Sequence, residues 1–314
     1  MGYKVETIGL DRSYELRSKY KGLKSYSSKV NISGLCVEFL TEDREHLKMW
    51  EDNFYSMSEE IRSHAKIYSI RDPSHEMKVL FEPSTNVAFL YNFDYYGWIK
   101  SIALGISGNI LEEAHDIYSV HGAVLDIDGK GVTLIAPSKT GKTTQSWGLL
   151  RMENAYLVSD DWYFVKLGGG RPIAYGSEKN CYIDADIGDV WEEYKPLVSQ
   201  VVFDNKGRGI ANVRWVTGES SVIPMTKIRC IFLLKRDKDD PVTIRRLSPK
   251  EGVDYLLKND LCNPHQIIWN DHKKKVRTAF FADFLSKCEV YSVNTIKTPQ
   301  ETQELIRNTI IQDL

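Results

Sequence analysis

The 314-residue sequence lacks several features that would assign it to a specialised class of protein. Its five cysteines are scattered and include no C-x-x-C pair, which argues against a disulfide framework or a cysteine zinc site. No stretch is long and apolar enough to span a bilayer, and the net charge of -2 gives no basis for bulk attraction to nucleic acid or membranes. The first residues lack an apolar signal core, and Glu6 interrupts a myristoylation pattern. These absences predict a cytoplasmic enzyme or binding protein with free thiols and no nucleic-acid or membrane partner.

The chain has the length and composition of a globular protein with one large domain or two ordinary ones. Hydrophobic residues make up 42% of the sequence and charged residues 27%, which suits a sizeable core. The pattern changes near His121. We therefore expect an N-terminal α+β region over residues 1–115, a candidate for substrate binding or oligomer formation, and a catalytic α/β domain over residues 116–314.

The N-terminal region is predicted to mix short strands with amphipathic helices. Strand-type runs occur at residues 35–40, 78–81 and 87–91. A helix should start at Thr41, because this residue and two acids precede apolar residues at steps of three and four. Its apolar stripe consists of Leu47, Trp50, Phe54, Met57 and Ile61. A second helix should begin near Asp94 and end at Gly105 or Gly108, with a shorter helix after it.

The rest of the chain alternates strands and helices. Residues 122–127 and 132–136 are expected to pair as a hairpin, and a loop, a helix at 142–152 and a strand at 155–161 follow. This order is typical of an α/β nucleotide-binding core. The other predicted elements are strands at 229–236 and 289–295, a helix at 275–287, and two helices that begin with capping boxes at Ser248 and Thr298.

The loop between the strand at 132–136 and the helix at 142–152 resembles a phosphate-binding (Walker A) loop. The usual pattern is G-x-x-x-x-G-K-S/T, and Ala136 to Thr143 is A-P-S-K-T-G-K-T. Such a loop turns backbone N–H groups towards phosphate at a helix N-terminus. Ala136 replaces the first glycine, and a strand end tolerates alanine because its φ is negative. The predicted phosphate-binding residues are Ser138, Lys139, Thr140, Gly141, Lys142, Thr143 and Thr144, of which Lys142 reaches the β- and γ-phosphates and Thr143 binds Mg²⁺.

Asp160 lies 18 residues after Lys142, and a second acid, Asp161, follows it directly. If their strand lies beside the loop strand, the carboxylates lie next to bound Mg²⁺. One acid can then hold the metal while the other takes a proton from an attacking hydroxyl. The alternative is a pair of solvated acids in a turn. His121 opens the hairpin and is a third candidate, with a side chain near the γ-phosphate.

The combination of His121-Gly122, the degenerate loop and Asp160-Asp161 resembles the C-terminal catalytic domain of HPr kinase/phosphorylase. The match is good from His121 to Asp161 and looser beyond. The resemblance implies a P-loop fold of the HPr kinase and phosphoenolpyruvate carboxykinase type, a homo-oligomer, and ATP or another nucleoside triphosphate with Mg²⁺ as cofactors. It also implies that Asp160 is the general base, that Asp161 and Thr143 belong to the metal shell, and that His121 lies against the transferring phosphate.

The sequence departs from that family in three respects. The proline-glycine-arginine-asparagine signature is absent, Lys139 stands where the family usually has glycine, and residues 1–115 do not match the family's N-terminal domain. HPr itself is therefore not the expected acceptor. We expect a kinase, a transferase that phosphorylates a hydroxyl of a peptide, a protein or a small molecule.

Two alternatives to a kinase remain open, and so does the position of the acceptor. A regulatory protein could bind nucleotide without turnover. Carboxykinase-like transfer would need a second metal site and arginines for the acid. Arg171, Glu178 and Lys179 follow a glycine-rich stretch and are candidates for closing over the substrate, with a plain surface loop as the equal alternative.

Overall fold

The computed structural model describes residues 2–22, 26–263 and 265–313 and shows a mixed α/β protein with several sheets. The chain divides into two compact units. The first comprises Met1–His115, Glu178–Asn180 and His265–Ile267, and the second comprises Asp116–Ser177, Cys181–Pro264 and Ile268–Leu314. None of the described helices is both long and apolar enough to cross a bilayer. All five cysteines are free, as the sequence predicts.

The described part of the first unit contains one seven-stranded sheet with three helices. The strand order is β1-β6-β7-β5-β3-β2-β4. The three predicted strands are confirmed as β3, β6 and β7. The elements are β1 (Lys4–Thr7), α1 (Leu10–Lys19), β2 (Tyr26–Ile32), β3 (Leu35–Thr41), α2 (Arg44–Asn53), β4 (Tyr55–Ser56), β5 (Ala65–Ile70), β6 (Lys78–Glu82), β7 (Val87–Tyr91) and α3 (Tyr96–His115).

The first predicted helix is shorter than its apolar stripe. Asp43, rather than Thr41, caps α2 by accepting the N–H groups of Glu45 and His46. The helix ends at Asn53, because Phe54 adopts an extended conformation and the next two residues pair with β2. Met57 and Ile61 therefore lie outside the helix, and the prediction of a helix to Ile61 is wrong.

The second predicted helix is longer than expected. Helix α3 continues through Gly105 and Gly108 to His115, so neither glycine ends it and no separate shorter helix follows within the described residues. A Cβ atom on Gly105 would lie 2.7 Å from the carbonyl oxygen of His265. This glycine permits close packing within the first unit rather than a helix end.

The described part of the second unit contains an eight-stranded sheet, a two-stranded sheet and several helices. The predicted strands at 229–236 and 289–295 are confirmed as β15 and β17. The elements are β8 (Ile117–Ile127), β9 (Lys130–Ile135), α4 (Lys142–Leu149), β10 (Ala155–Ser159), β11 (Trp162–Lys166), β12 (Ile173–Gly176), β13 (Cys181–Asp184), α5 (Ile187–Val190), α6 (Lys195–Val198), β14 (Arg208–Ala211), α7 (Arg214–Thr217), β15 (Met225–Lys235), β16 (Ile244–Leu247), α8 (Pro249–Lys258), α9 (Asp271–Ser286), β17 (Glu289–Asn294) and α10 (Pro299–Asp313).

The centre of the large sheet is the predicted hairpin of β8 and β9. Strand β9 also pairs in parallel with β15, which pairs in parallel with β17. Alternate residues of β8 enter different buried clusters, since Leu125 packs with Trp147 of α4 while Val124 packs with Phe281 of α9. Both faces of the sheet are therefore covered, and the ends of β9, β15 and β17 meet at one edge.

Strand β10 does not lie beside the loop strand. It pairs with β8, which lies between it and β9, so the condition of direct adjacency stated for the two acids is not met. Both capping boxes are confirmed. Ser248 and Glu251 exchange hydrogen bonds at the start of α8, and Thr298 and Glu301 do the same before α10.

Candidate functional site

The loop between β9 and α4 occupies residues 136–141. Ala136 keeps a negative φ, so the missing first glycine causes no backbone strain. Gly141 is the N-cap of α4 with a φ of 92°, a conformation that only glycine adopts readily. Lys139 has a φ of 66°, in the left-handed region where glycine is favoured. The loop therefore keeps a lysine at a position where its backbone prefers glycine.

Hydrogen bonds from two threonine side chains fix the conformation of the loop. Thr140 donates its hydroxyl hydrogen to the carbonyl of Pro137 at 2.7 Å. Thr295, which follows β17, donates to the carbonyl of Thr140 at 2.9 Å. These bonds hold the loop open in front of the N-terminus of α4, where the first N–H groups of a helix have no partner within the helix.

Lys142, Asp161 and His121 form a cluster beside the loop. The ammonium of Lys142 lies 2.6 Å from Oδ1 of Asp161 and 3.2 Å from Nε2 of His121. The same Oδ1 lies 3.1 Å from Nε2 of His121. The pairing of β8 with β11 explains the approach, because it sets His121 opposite Trp162, the residue after Asp161.

The second contact of His121 places a hydrogen on Nδ1. Its Nδ1 lies 2.5 Å from the carbonyl oxygen of Cys262, and a carbonyl can only accept, so Nδ1 carries a hydrogen. Nε2 lies between the ammonium of Lys142, which can only donate, and Oδ1 of Asp161, which can only accept. The turn that carries this carbonyl has three consecutive residues in the left-handed region, since the φ values of Asp260, Leu261 and Cys262 are 49°, 55° and 54°. Backbone strain is thus concentrated where the carbonyl orients His121.

The two adjacent acids point to different surroundings. Asp161 lines the pocket with Lys142 and His121. Asp160 is buried, and its Oδ1 accepts from the hydroxyl of Ser146 in α4 at 2.9 Å. Asp160 is not part of the pocket lining. The chain bends at these two residues, between the end of β10 and the start of β11, and directs their side chains to different surroundings.

A pocket of about 660 Å³ opens over the loop and the start of α4. Most of the predicted phosphate residues line it, and Thr140 faces Pro137 instead. Sequence reasoning missed a second group of lining residues, which come from the end of β15, the turn after β17, the paired strands β13 and β14, and the segment that follows β13. This group includes Asp184, Asp186, Arg208, Arg236, Thr295 and Lys297. Only knowledge of the strand order could have identified them.

Two acids and one arginine line the pocket near the paired strands β13 and β14. Asp184 forms an ion pair with Arg208 at 3.2 Å. Partial burial and the carboxylates of Asp186 and Asp204 raise the pKa of Asp184, whereas Arg208 and Lys139 act against this shift. The pocket therefore has lysines along the loop and carboxylates near these two strands.

The three candidates for a substrate loop do not line this pocket. Arg171 lies 3.5 Å from the carbonyl of Lys287. Glu178 and Lys179 belong to the first unit, where Glu178 accepts from Lys100 at 3.1 Å and Lys179 donates to the carbonyl of Glu51 at 2.7 Å. Within the second unit, Arg171 is therefore placed at Lys287 and not in the lining of the pocket over the loop.

Comparisons with known proteins add little to this geometry. No family model and no curated protein matches the chain. Among solved structures, the HPr(Ser) kinase/phosphatase from Coxiella burnetii is similar over 62% of this chain and 97% of its own, with 17% sequence identity and a TM-score of 0.35. A likeness of this size supports at most a distant relationship of fold.

Proposed function

We propose that the second unit is a kinase that binds ATP or another nucleoside triphosphate with Mg²⁺ and transfers the γ-phosphoryl group to a hydroxyl. The acceptor would belong to a peptide, a protein or a small molecule. The observation that carries the proposal is the contact of Lys142 with Asp161 and His121 at the floor of a pocket over a helix N-terminus. Phosphoryl transfer requires a cation, an acid and a phosphate cradle in this proximity.

The loop and Lys142 would hold the phosphates. The N–H groups at the start of α4 and the partial positive charge of the helix end favour an anion there. Lys142 reaches the same pocket, where its ammonium is close to Asp161. We infer that an arriving phosphate replaces the carboxylate as the partner of Lys142, with Ser138, Lys139, Thr143 and Thr144 lining the same space.

The residues present fit Mg²⁺ bound together with phosphate. The hydroxyl of Thr143 lines the pocket and would be a protein ligand of the ion, whereas Asp161 is assigned to proton transfer below. Among the described residues no group of three His, Cys, Asp or Glu side chains could hold a metal alone. Mg²⁺ commonly takes one or two protein ligands, with phosphates and water for the rest. When bound, the ion would neutralise charge on the β- and γ-phosphates.

The position of Asp161 makes it the stronger candidate for the proton acceptor. The acceptor oxygen forms a bond to Pγ, the bond from Pγ to the β-phosphate oxygen breaks with its electron pair, and the hydroxyl proton passes to the carboxylate. Asp161 lines the pocket beside Lys142, where the transferred phosphate would lie, and can receive that proton. Asp160, which the family resemblance designates as the base, instead holds Ser146 of α4. We assign Asp160 a positioning role.

A transfer assay tests the proposal. Purified protein, Mg-ATP labelled at the γ-phosphate and a panel of peptides and small alcohols should yield a labelled acceptor. Asp161→Asn should lower kcat by about 10²- to 10⁴-fold, the usual contribution of a general base. Asp189→Asn serves as the matched control, because Asp189 is exposed and lies outside the pocket lining. Equal turnover by Asp161→Asn and wild type would refute the assigned role.

The rival is a nucleotide-binding regulatory protein without turnover. Ala136 in place of the first loop glycine and Lys139 at a left-handed backbone position favour it. Tight nucleotide binding with no labelled product from any acceptor, and no release of ADP, would support this rival over the kinase.

A further inference from the structure

Arg236 lies at the edge of the sheet where the phosphate loop begins. It is the first residue after β15, and β15 pairs in parallel with β9 so that Leu233 is opposite Ile135. The carboxyl ends of both strands therefore meet at this edge, and ligands of α/β sheets bind at such ends. Arg236 also lines the 660 Å³ pocket.

Thr295 forms hydrogen bonds both with the side chain of Arg236 and with the phosphate loop. Its Nε donates to the hydroxyl oxygen of Thr295 at 3.3 Å, and that hydroxyl donates to the carbonyl of Thr140. Thr295 is itself buried. One terminal nitrogen of the guanidinium lies 3.7 Å from the point where a Cβ on Gly141 would stand. The guanidinium is thereby placed beside the N-cap of α4.

This placement brings an exposed guanidinium close to like charge, which solvent screens only in part. The N-terminus of a helix carries partial positive charge, so a cation beside it is repelled. Lys139 and Lys297 line the same pocket. Within the described residues, Arg236, Lys139 and Lys297 have no ion-pair partner. Phosphate would satisfy the helix end and the guanidinium together.

We propose that Arg236 is a side-chain ligand of the phosphate chain and stabilises the leaving group during transfer. This role rests on the proposed kinase function. A guanidinium can bind two oxygens at once, which suits the β-phosphate at the helix N-terminus. Negative charge grows on the β-phosphate oxygens as the bond to Pγ breaks, and the guanidinium that binds these oxygens would stabilise it.

The test compares Arg236→Gln with Arg236→Lys and with Lys238→Gln in the full chain. Lys238 is exposed, lies two residues away and is outside the pocket lining, so its substitution removes the same charge without the contact. Calorimetry with Mg-ADP, Mg-ATP and AMP measures affinity. Arg236→Gln should weaken ADP and ATP binding about ten- to a hundred-fold, as expected for loss of a charge-assisted hydrogen bond, and leave AMP unchanged. Lysine should restore part of the loss.

The outcomes separate this role from the proposed function. The arginine's role is supported by weaker ADP binding in Arg236→Gln with an unchanged Tm and wild-type behaviour of Lys238→Gln. Identical ADP affinities for Arg236→Gln and Lys238→Gln would overturn it while leaving the kinase proposal intact. Failure of the wild type to bind either ADP or ATP would overturn the proposed function, and the arginine's role with it.

Discussion

Two lysine–carboxylate pairs, one in each unit, use the same chemistry in different surroundings. In the first unit, Lys100 contacts Glu178 at 3.1 Å, and the side chains are 1% and 5% exposed. In the second, Lys142 contacts Asp161 at 2.6 Å, and the exposures are 10% and 25%. The first pair is enclosed, whereas the second borders an open pocket.

The difference in exposure indicates which of the two ion pairs can open to contact water or a ligand. Glu178 also accepts from Asn53 at 2.9 Å, and Asn53 accepts from Tyr96, so the enclosed pair belongs to a buried polar network. Removing one member of such a network leaves a buried charge without compensation. Asp161 and Lys142 can instead meet water or an incoming anion. We expect the enclosed pair to matter for folding and the open pair for binding.

Breaking the enclosed pair should give the largest change in stability. Glu178→Gln removes the charge that compensates Lys100, and the free energy of unfolding should fall by about 3–5 kcal/mol. Denaturant unfolding measures this. The control is Glu192→Gln in the exposed pair with Lys195, which should change stability by less than about 1 kcal/mol. Equal effects of the two substitutions would show that burial does not distinguish the pairs.

Breaking the open pair should affect ligand binding instead. Lys142→Met should weaken Mg-ATP binding at least about a hundred-fold, because a charge-assisted phosphate contact is lost. Its effect on unfolding should remain within about 1 kcal/mol, because Asp161 reaches solvent. Lys195→Met is the surface control. Unfolding of Lys142→Met as easily as Glu178→Gln would contradict the comparison.

The smallest expected effect concerns the lysine with left-handed backbone. Lys139→Gly relieves a conformation that costs an L-residue about 1 kcal/mol, so stability should stay level or rise by up to that amount. Nucleotide affinity should fall several-fold, because the positive charge leaves the pocket. Lys139→Asn, which tolerates the same backbone without the charge, should also weaken binding. Unchanged affinity in both variants would remove Lys139 from the phosphate site.

The sequence predicts elements well where local chemistry decides them. The capping boxes at Ser248 and Thr298 begin helices as expected, since the bonds are made within four residues. The prediction that the helix reaches Ile61 was wrong because the apolar spacing continues after the helix has ended. Phe54 already has an extended backbone, yet its ring packs on that of Trp50 with 4.8 Å between the ring centroids. The prediction that Gly105 could end a helix was wrong, because this glycine instead permits the close approach of the carbonyl of His265, a residue far away in the sequence.

Prediction of the site had a similar limit. The loop and its cluster with His121 and Asp161 involve elements that the sequence could order, and the structure brings them together. Which of the two acids faces the pocket depends on the exit angle of β10, which no spacing reveals. Arg236 was missed because its relation to the loop depends on β15 pairing with β9 across nearly a hundred residues of chain.

The most direct test of the account is the distance from Lys142 Nζ to Asp161 Oδ1 in a crystal structure with Mg²⁺ and a non-hydrolysable ATP analogue. The distance in the structure described above is 2.6 Å. The account predicts that Lys142 turns to the phosphates, that the ion pair opens, and that Asp161 is left facing the acceptor side of the pocket. A nucleotide bound elsewhere, or bound over the loop with the ion pair still closed, would contradict it.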